Sequence, residues 1–82
     1  MKNYPHLSEA IGNVVEILRN EREMSKSSLA DYADMQRCYL LDILKGRKKP
    51  TMNAIFSLCE ALQVHPAEFV RMVVENIDKL ER

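Results

Sequence analysis

Charge of one sign is what this sequence lacks most plainly. Twelve Lys and Arg side chains are matched by twelve Asp and Glu, a formal net charge of zero over 82 residues. A domain that binds nucleic acid usually carries a clear basic excess, so the global balance argues against one. Cysteine is sparse as well: Cys38 and Cys59 form no C-x-x-C pair, and His6 and His65 are the only histidines that could help them hold a metal. Neither a disulfide framework nor a zinc site is supported, and the pattern reads as a reduced, cytoplasmic protein. Glycine is limited to Gly12 and Gly46, too few for a phosphate-cradling loop, and no nucleophile stands in a motif with a base. No catalytic residue, cofactor, metal or small-molecule ligand is therefore expected.

Long apolar runs are missing too. Nothing approaches the ~20 apolar residues that span a bilayer, so no membrane partner is expected. Met1 to His6 carries one lysine but no apolar region or small-residue cleavage site, so no secretory signal is expected there. What remains is an ordinary globular mixture, 46% hydrophobic and 29% charged, of a length that makes one domain. Chains of this size are marginal alone and often lean on a partner subunit.

The charge is unevenly spread. Residues 36 to 53 carry Arg37, Lys45, Arg47, Lys48 and Lys49 against Asp42 alone, a local +4, while the stretches before and after each sum to −2. A basic patch on a neutral body follows. Hydrophobic spacing divides the chain into five helices. The first opens at Ser8 as N-cap, runs through Ile11, Val14, Val15 and Leu18, and ends near Arg22. Ser25 caps a second of about eight residues, and a third starts at Gln36, places Tyr39, Leu40, Ile43 and Leu44 inward, and stops at Gly46. After a Gly46-to-Pro50 loop, Thr51 caps a fourth whose inward face is Met52, Ile55, Leu58, Cys59 and Leu62. His65-Pro66 opens the fifth, which continues to about Leu80. Its stripe of Phe69, Val73, Ile77 and Leu80, with Val70 and Val74 beside it, is wider than a terminal helix could bury alone, so a self-association surface is expected there. No strand alternation or repeat is present, and the class is all-α.

The second and third helices are too short, and too closely joined through Asp34-Met35, to pack antiparallel; a steep helix-turn-helix crossing is one option among several. The residues around them resemble the lambda Cro/C1 family of DNA-binding domains. The resemblance rests on Leu18-Arg19, Met24-Ser25-Lys26-Ser27-Ser28-Leu29-Ala30, Tyr39-Leu40, Gly46, Pro50-Thr51 and Leu62-Gln63-Val64-His65-Pro66, and covers residues 11 to 70. It implies a compact five-helix lambda-repressor-like domain over residues 8–82. In that reading, 1–7 form a flexible arm, the helix-turn-helix lies at helices two and three, and residues 66–81 form an extended C-terminal dimerisation helix.

The resemblance makes residues 36–44 a recognition helix in the major groove, with Arg37, Cys38 and Asp42 toward the bases and Arg37 equipped to bind guanine O6 and N7. Lys26, Gln36, Lys45, Arg47, Lys48 and Lys49 match positions that meet phosphates. Such a protein would act as a homodimeric, sequence-specific transcription regulator on a pseudo-palindromic operator, its seam built from Phe69, Val70, Val73, Val74, Ile77 and Leu80. Asp42, repelled by phosphate, would accept from a cytosine amine or steer Arg37 and Lys45.

Four positions depart from the family pattern. Asp34 and Gln63 stand where glycine is usual, Leu41 replaces a small hydroxyl, and Leu44 replaces the glutamate partner of Arg19, which must then find another partner or water. Leu41, Leu44 and the neutral charge leave a second reading open, a protein-interaction module with this fold that has lost DNA.

Overall fold

Ser25 Oγ accepts the backbone N–H of Ser28 at 3.0 Å, Thr51 Oγ1 that of Ala54 at 3.1 Å, and His65 Nδ1 that of Ala67 at 3.0 Å. Each satisfies an N–H that a helix start leaves open, so each fixes a boundary. The computed structural model describes all 82 residues, as five helices and no strand: α1 Leu7–Glu21, α2 Lys26–Tyr32, α3 Arg37–Leu44, α4 Met52–Leu62 and α5 Pro66–Leu80. The all-α, five-helix class expected from hydrophobic spacing is the one observed. No helix is long and apolar enough to cross a membrane.

Two boundary details differ from expectation. Ser8 does not cap α1: the cap position is His6, left-handed with φ 66°, and its side chain accepts no capping hydrogen bond. Leu7 already packs on the core as the first helical residue, so the helix starts where that side chain docks rather than at the serine that follows. In α4, Met52 faces out at 63% exposure and Ala54 takes the inward place. The buried stripe there is Ala54, Leu58, Cys59 and Leu62; Met52 lies on the side of Cys59, seven residues on, but as the first residue of its helix it stays in water.

Four of the helices stop in one way. A residue with positive φ follows the last turn, and the next N–H reaches back five positions, the closure that satisfies a helix's last carbonyls. The left-handed residues are Glu23 (φ 55°), Asp34 (52°), Gly46 (71°) and Gln63 (56°). The returning bonds are Met24 N–H to Arg19 O (3.1 Å), Met35 to Ala30 (2.9 Å), Arg47 to Asp42 (2.9 Å) and Val64 to Cys59 (3.0 Å). Met24, Met35 and Val64 are half-buried against the core, and the residue after each is the N-cap of the next helix. Arg47 is exposed, and after it the chain runs out as a loop until buried Pro50 brings it back.

The core is wholly apolar; no polar or charged side chain is buried. α1 supplies its largest share and packs on both α3 and α5. Phe69 and Val73 of α5 lie inside it at 1% and 6% exposure, whereas Val70 and Val74, one turn apart, stand out at 47% and 52%. Asn13 Nδ2 donates to Asn76 Oδ1 at 3.0 Å, a side-chain hydrogen bond between α1 and α5.

Candidate nucleic-acid interface

The turn Asp34-Met35-Gln36 carries the chain from α2 into α3 with no slack: Asp34 reverses the backbone, Met35 docks, and Gln36 is already the cap residue of α3. α3 has only eight residues and its cap has no side-chain hydrogen bond, so its place depends on what it packs against. Leu40 and Ile43 are fully buried, and Tyr39 and Leu44 lie half-buried against the same core. The opposite face presents Arg37, Cys38 and Lys45, with Leu41 and Asp42 half-buried at its flanks.

A close approach fixes the far end of this helix. Gly12 of α1 sits so near that a Cβ there would lie 2.6 Å from Ile43 O and 2.8 Å from Leu44 O. Gly46, which ends α3, passes close to the backbone of Glu9, where an added Cβ would lie 3.3 Å from its Cα. α3 is thus held against the backbone of α1 at its C-terminal turn and by the Met35 dock at its start.

Every residue expected at the interface is exposed except Asp42: Lys26 opens α2, Gln36 opens α3, and Arg47, Lys48 and Lys49 occupy the loop after Gly46. No ion pair engages Arg37 or Lys45, whose charges are free to meet a ligand. Asp42 differs from the expectation that it steers those two. Its carboxylate lies 4.0 Å from Arg47 Nη1 and 3.8 Å from Lys48 Nζ, because the closure at Gly46 folds the loop back over it. Lys48 Nζ also stands 5.8 Å from the centre of the Tyr39 ring. Lys49 Nζ donates to Asn3 Oδ1 at 3.2 Å, bringing the N-terminal segment to this loop.

Arg19, expected to lack its usual partner, has two. Its guanidinium binds the Glu16 carboxylate, with Nε to Oε2 at 3.1 Å, and its Nη1 donates to Met24 O at 2.6 Å, which ties α1 to the entry of α2. The hydrogen bond from Arg19 holds the Glu16 carboxyl below its ordinary pKa. Leu44, in the place of the missing glutamate, packs on the core instead. The three-residue spacing from Glu16 to Arg19 was a visible signal of this pair. Both cysteines are free; Cys38 is exposed at the start of α3, and burial pushes the Cys59 thiol up. Of the six residues expected at a dimer seam, Phe69 and Val73 belong to the core and have no surface to offer; Ile77 and Leu80 are half-covered, and Val70 and Val74 are open.

A family profile described as Helix-turn-helix matches residues 15–69, which takes in α2, the turn, α3, the basic loop and α4. The chain belongs to the Cro/C1-type helix-turn-helix family. Its α2 and α3 are therefore the two helices of the motif. Over 60 residues this helix-turn-helix chain is 28% identical to the immunity repressor protein of Bacillus phage phi105, covering 73% of its own length but 42% of the repressor's. Its fold is similar to that of the clp gene regulator ClgR from Corynebacterium glutamicum, with TM-score 0.88 and 23% identity over 96% of this chain and 84% of that one. It is also similar to the restriction-modification controller protein C.Esp1396I, solved as a tetramer with its natural 35 base-pair operator, with TM-score 0.82 and 22% identity over 90% and 97% of the two chains.

Proposed function

We propose that this chain is a sequence-specific, double-stranded-DNA-binding transcription regulator, working in the cytoplasm as a homodimer on a pseudo-palindromic operator and without catalytic activity. The observation that carries the reading is the outward face of α3, the motif's second helix, where Arg37 at its start and Lys45 at its C-cap stand exposed and unpaired. Arg37 reads guanine through two parallel hydrogen bonds, and Cys38 is a small neighbouring contact. Lys26, Gln36, Lys45, Arg47, Lys48 and Lys49 hold phosphates, the first two aided by N–H groups at helix starts. The half-burial of Leu44 in the core favours this reading over an interaction module, since that leucine is a packing residue rather than a lost contact.

The dimer seam consists of Val70 and Val74, flanked by Ile77 and Leu80. Two exposed valines one helical turn apart on the last helix of a small domain support it, as does the tetrameric assembly of a controller protein with the same fold. Substituting Val74→Glu is expected to yield monomers by light scattering.

The deciding experiment is fluorescence anisotropy of a labelled random-sequence duplex at roughly 50 and 200 mM salt. Micromolar binding that collapses as salt rises is the expected result. Absence of binding at both salts would replace this conclusion with the interaction-module reading.

A further inference from the structure

We infer that Asp42 is a charge latch, a positioning residue that folds Arg47 and Lys48 back onto α3 in the free protein and weakens their hold on the phosphates of any duplex. The inference rests on the DNA-binding reading above and adds to it a role for the one acidic residue in the basic stretch.

The latch follows from how α3 ends. In a closure of this kind, the residue after the left-handed position commonly makes an apolar contact with the residue whose carbonyl it binds. Val64 over Cys59 and Met35 over Ala30 have that character, each apolar residue set above a buried one. After Gly46 the corresponding residues are Arg47 and Asp42, joined by the same 2.9 Å backbone hydrogen bond. An ion pair occupies the place of the apolar contact. The backbone bond sets Arg47 beside Asp42; its guanidinium lies 4.0 Å from the carboxylate, and the next residue, Lys48, comes to 3.8 Å. Lys48 is further drawn to the Tyr39 ring at 5.8 Å.

Two cations assigned to phosphate therefore share one carboxylate, while Lys45 beside them shares none. To engage phosphate, Arg47 and Lys48 must leave Asp42, and the carboxylate they leave repels the same phosphates. Ion pairs between exposed groups are weak, so the latch attenuates binding by about threefold to tenfold rather than preventing it. Its effect is equal for every sequence, because phosphates carry none. Asp42 thereby reconciles a local excess of cations with restrained attachment to DNA of any sequence.

The test is a double-mutant cycle read by anisotropy on a random-sequence duplex, with thermal melts to verify that each protein is folded. Asp42→Asn is expected to tighten binding about threefold to tenfold at low salt and to steepen the dependence of log K on log salt by about 0.9 to 1.8, the slope of one or two further phosphates. Lys48→Ala should cost more affinity in the Asp42→Asn background than in the wild type. Asp31→Asn, which removes the same charge from α2 where no cation pairs with it, should do much less. Unchanged affinity and slope in Asp42→Asn overturn the latch, as does a Lys48→Ala penalty equal in both backgrounds. A wild type that binds no duplex while Asp42→Asn binds one salt-sensitively supports it. If neither protein binds, the latch and the DNA-binding conclusion fall together, whereas wild-type binding with a flat cycle removes the latch alone.

Discussion

Glu23-Met24-Ser25, Asp34-Met35-Gln36 and Gln63-Val64-His65 are one turn written three times, and Gly46-Arg47-Lys48 begins the same turn and finishes it differently. In all four, the backbone reverses through a left-handed residue and a returning N–H closes the helix. The closure alone does not decide where the chain goes next. An apolar residue after it docks on the core, and a new helix starts one position later; a charged residue after it stays in water, and a loop results. The three docked turns build the scaffold. The undocked one presents the basic loop.

Substitutions can break or sharpen this contrast. The largest effect is expected from Met35→Asp, which places a charge where the turn into α3 docks: about 2–3 kcal/mol of stability lost in urea unfolding, with loss of DNA binding in the same protein. A melt within error of wild type would show that docking is not what holds the turn. Next comes Gly46→Ala. Its φ of 71° is unfavourable for any side chain and the Glu9 backbone is close, so a loss of about 1–2 kcal/mol is expected.

The opposite exchange, Gln63→Gly, relieves a left-handed side chain at φ 56° and should stabilise by up to about 1 kcal/mol, seen as a melting temperature higher by about 2–6 °C. A decrease would mean that the glutamine side chain makes a compensating contact. The smallest change is expected for Arg47→Ala, whose stability should stay within about 0.5 kcal/mol of wild type, since nothing docks there. A loss as large as that of Met35→Asp would erase the distinction between docked and undocked turns.

Much of this architecture was legible because its causes are local. Ser25, Thr51 and His65 announce helix starts through hydrogen bonds that span two or three residues, and Asp34 and Gln63 were visible as left-handed positions by their place in a familiar pattern. Ser8 misled because a capping residue type is not a cap unless the chain turns there, and docking of Leu7 set the start instead. Glu23 gave no signal, since its left-handed backbone follows from the docking of Met24 rather than from its own chemistry.

The same distinction holds at the candidate sites. Arg37 and the loop cations were readable from composition and resemblance, whereas the pairing of Asp42 was not. Separations of five and six residues do not meet on a straight helix, and they meet here only because the backbone reverses at Gly46. Along α5, periodicity found the apolar stripe but not which edge α1 would cover, so Phe69 and Val73 could not be separated from Val70 and Val74 until the two helices were packed.

The missing side chain at Gly12 has a consequence at the scale of the operator. It lets the backbone of α1 rest on the last carbonyls of α3, while α1 also carries α5. In the proposed dimer the seam and the reading helix are thus mounted on one rigid rod, and two such rods back to back form a ruler. One base pair more between half-sites displaces the far one by roughly 3.4 Å and turns it by roughly a tenth of a revolution. A joint this tight has little play to follow such a shift, so the protein would measure the gap between its two words as strictly as it spells them.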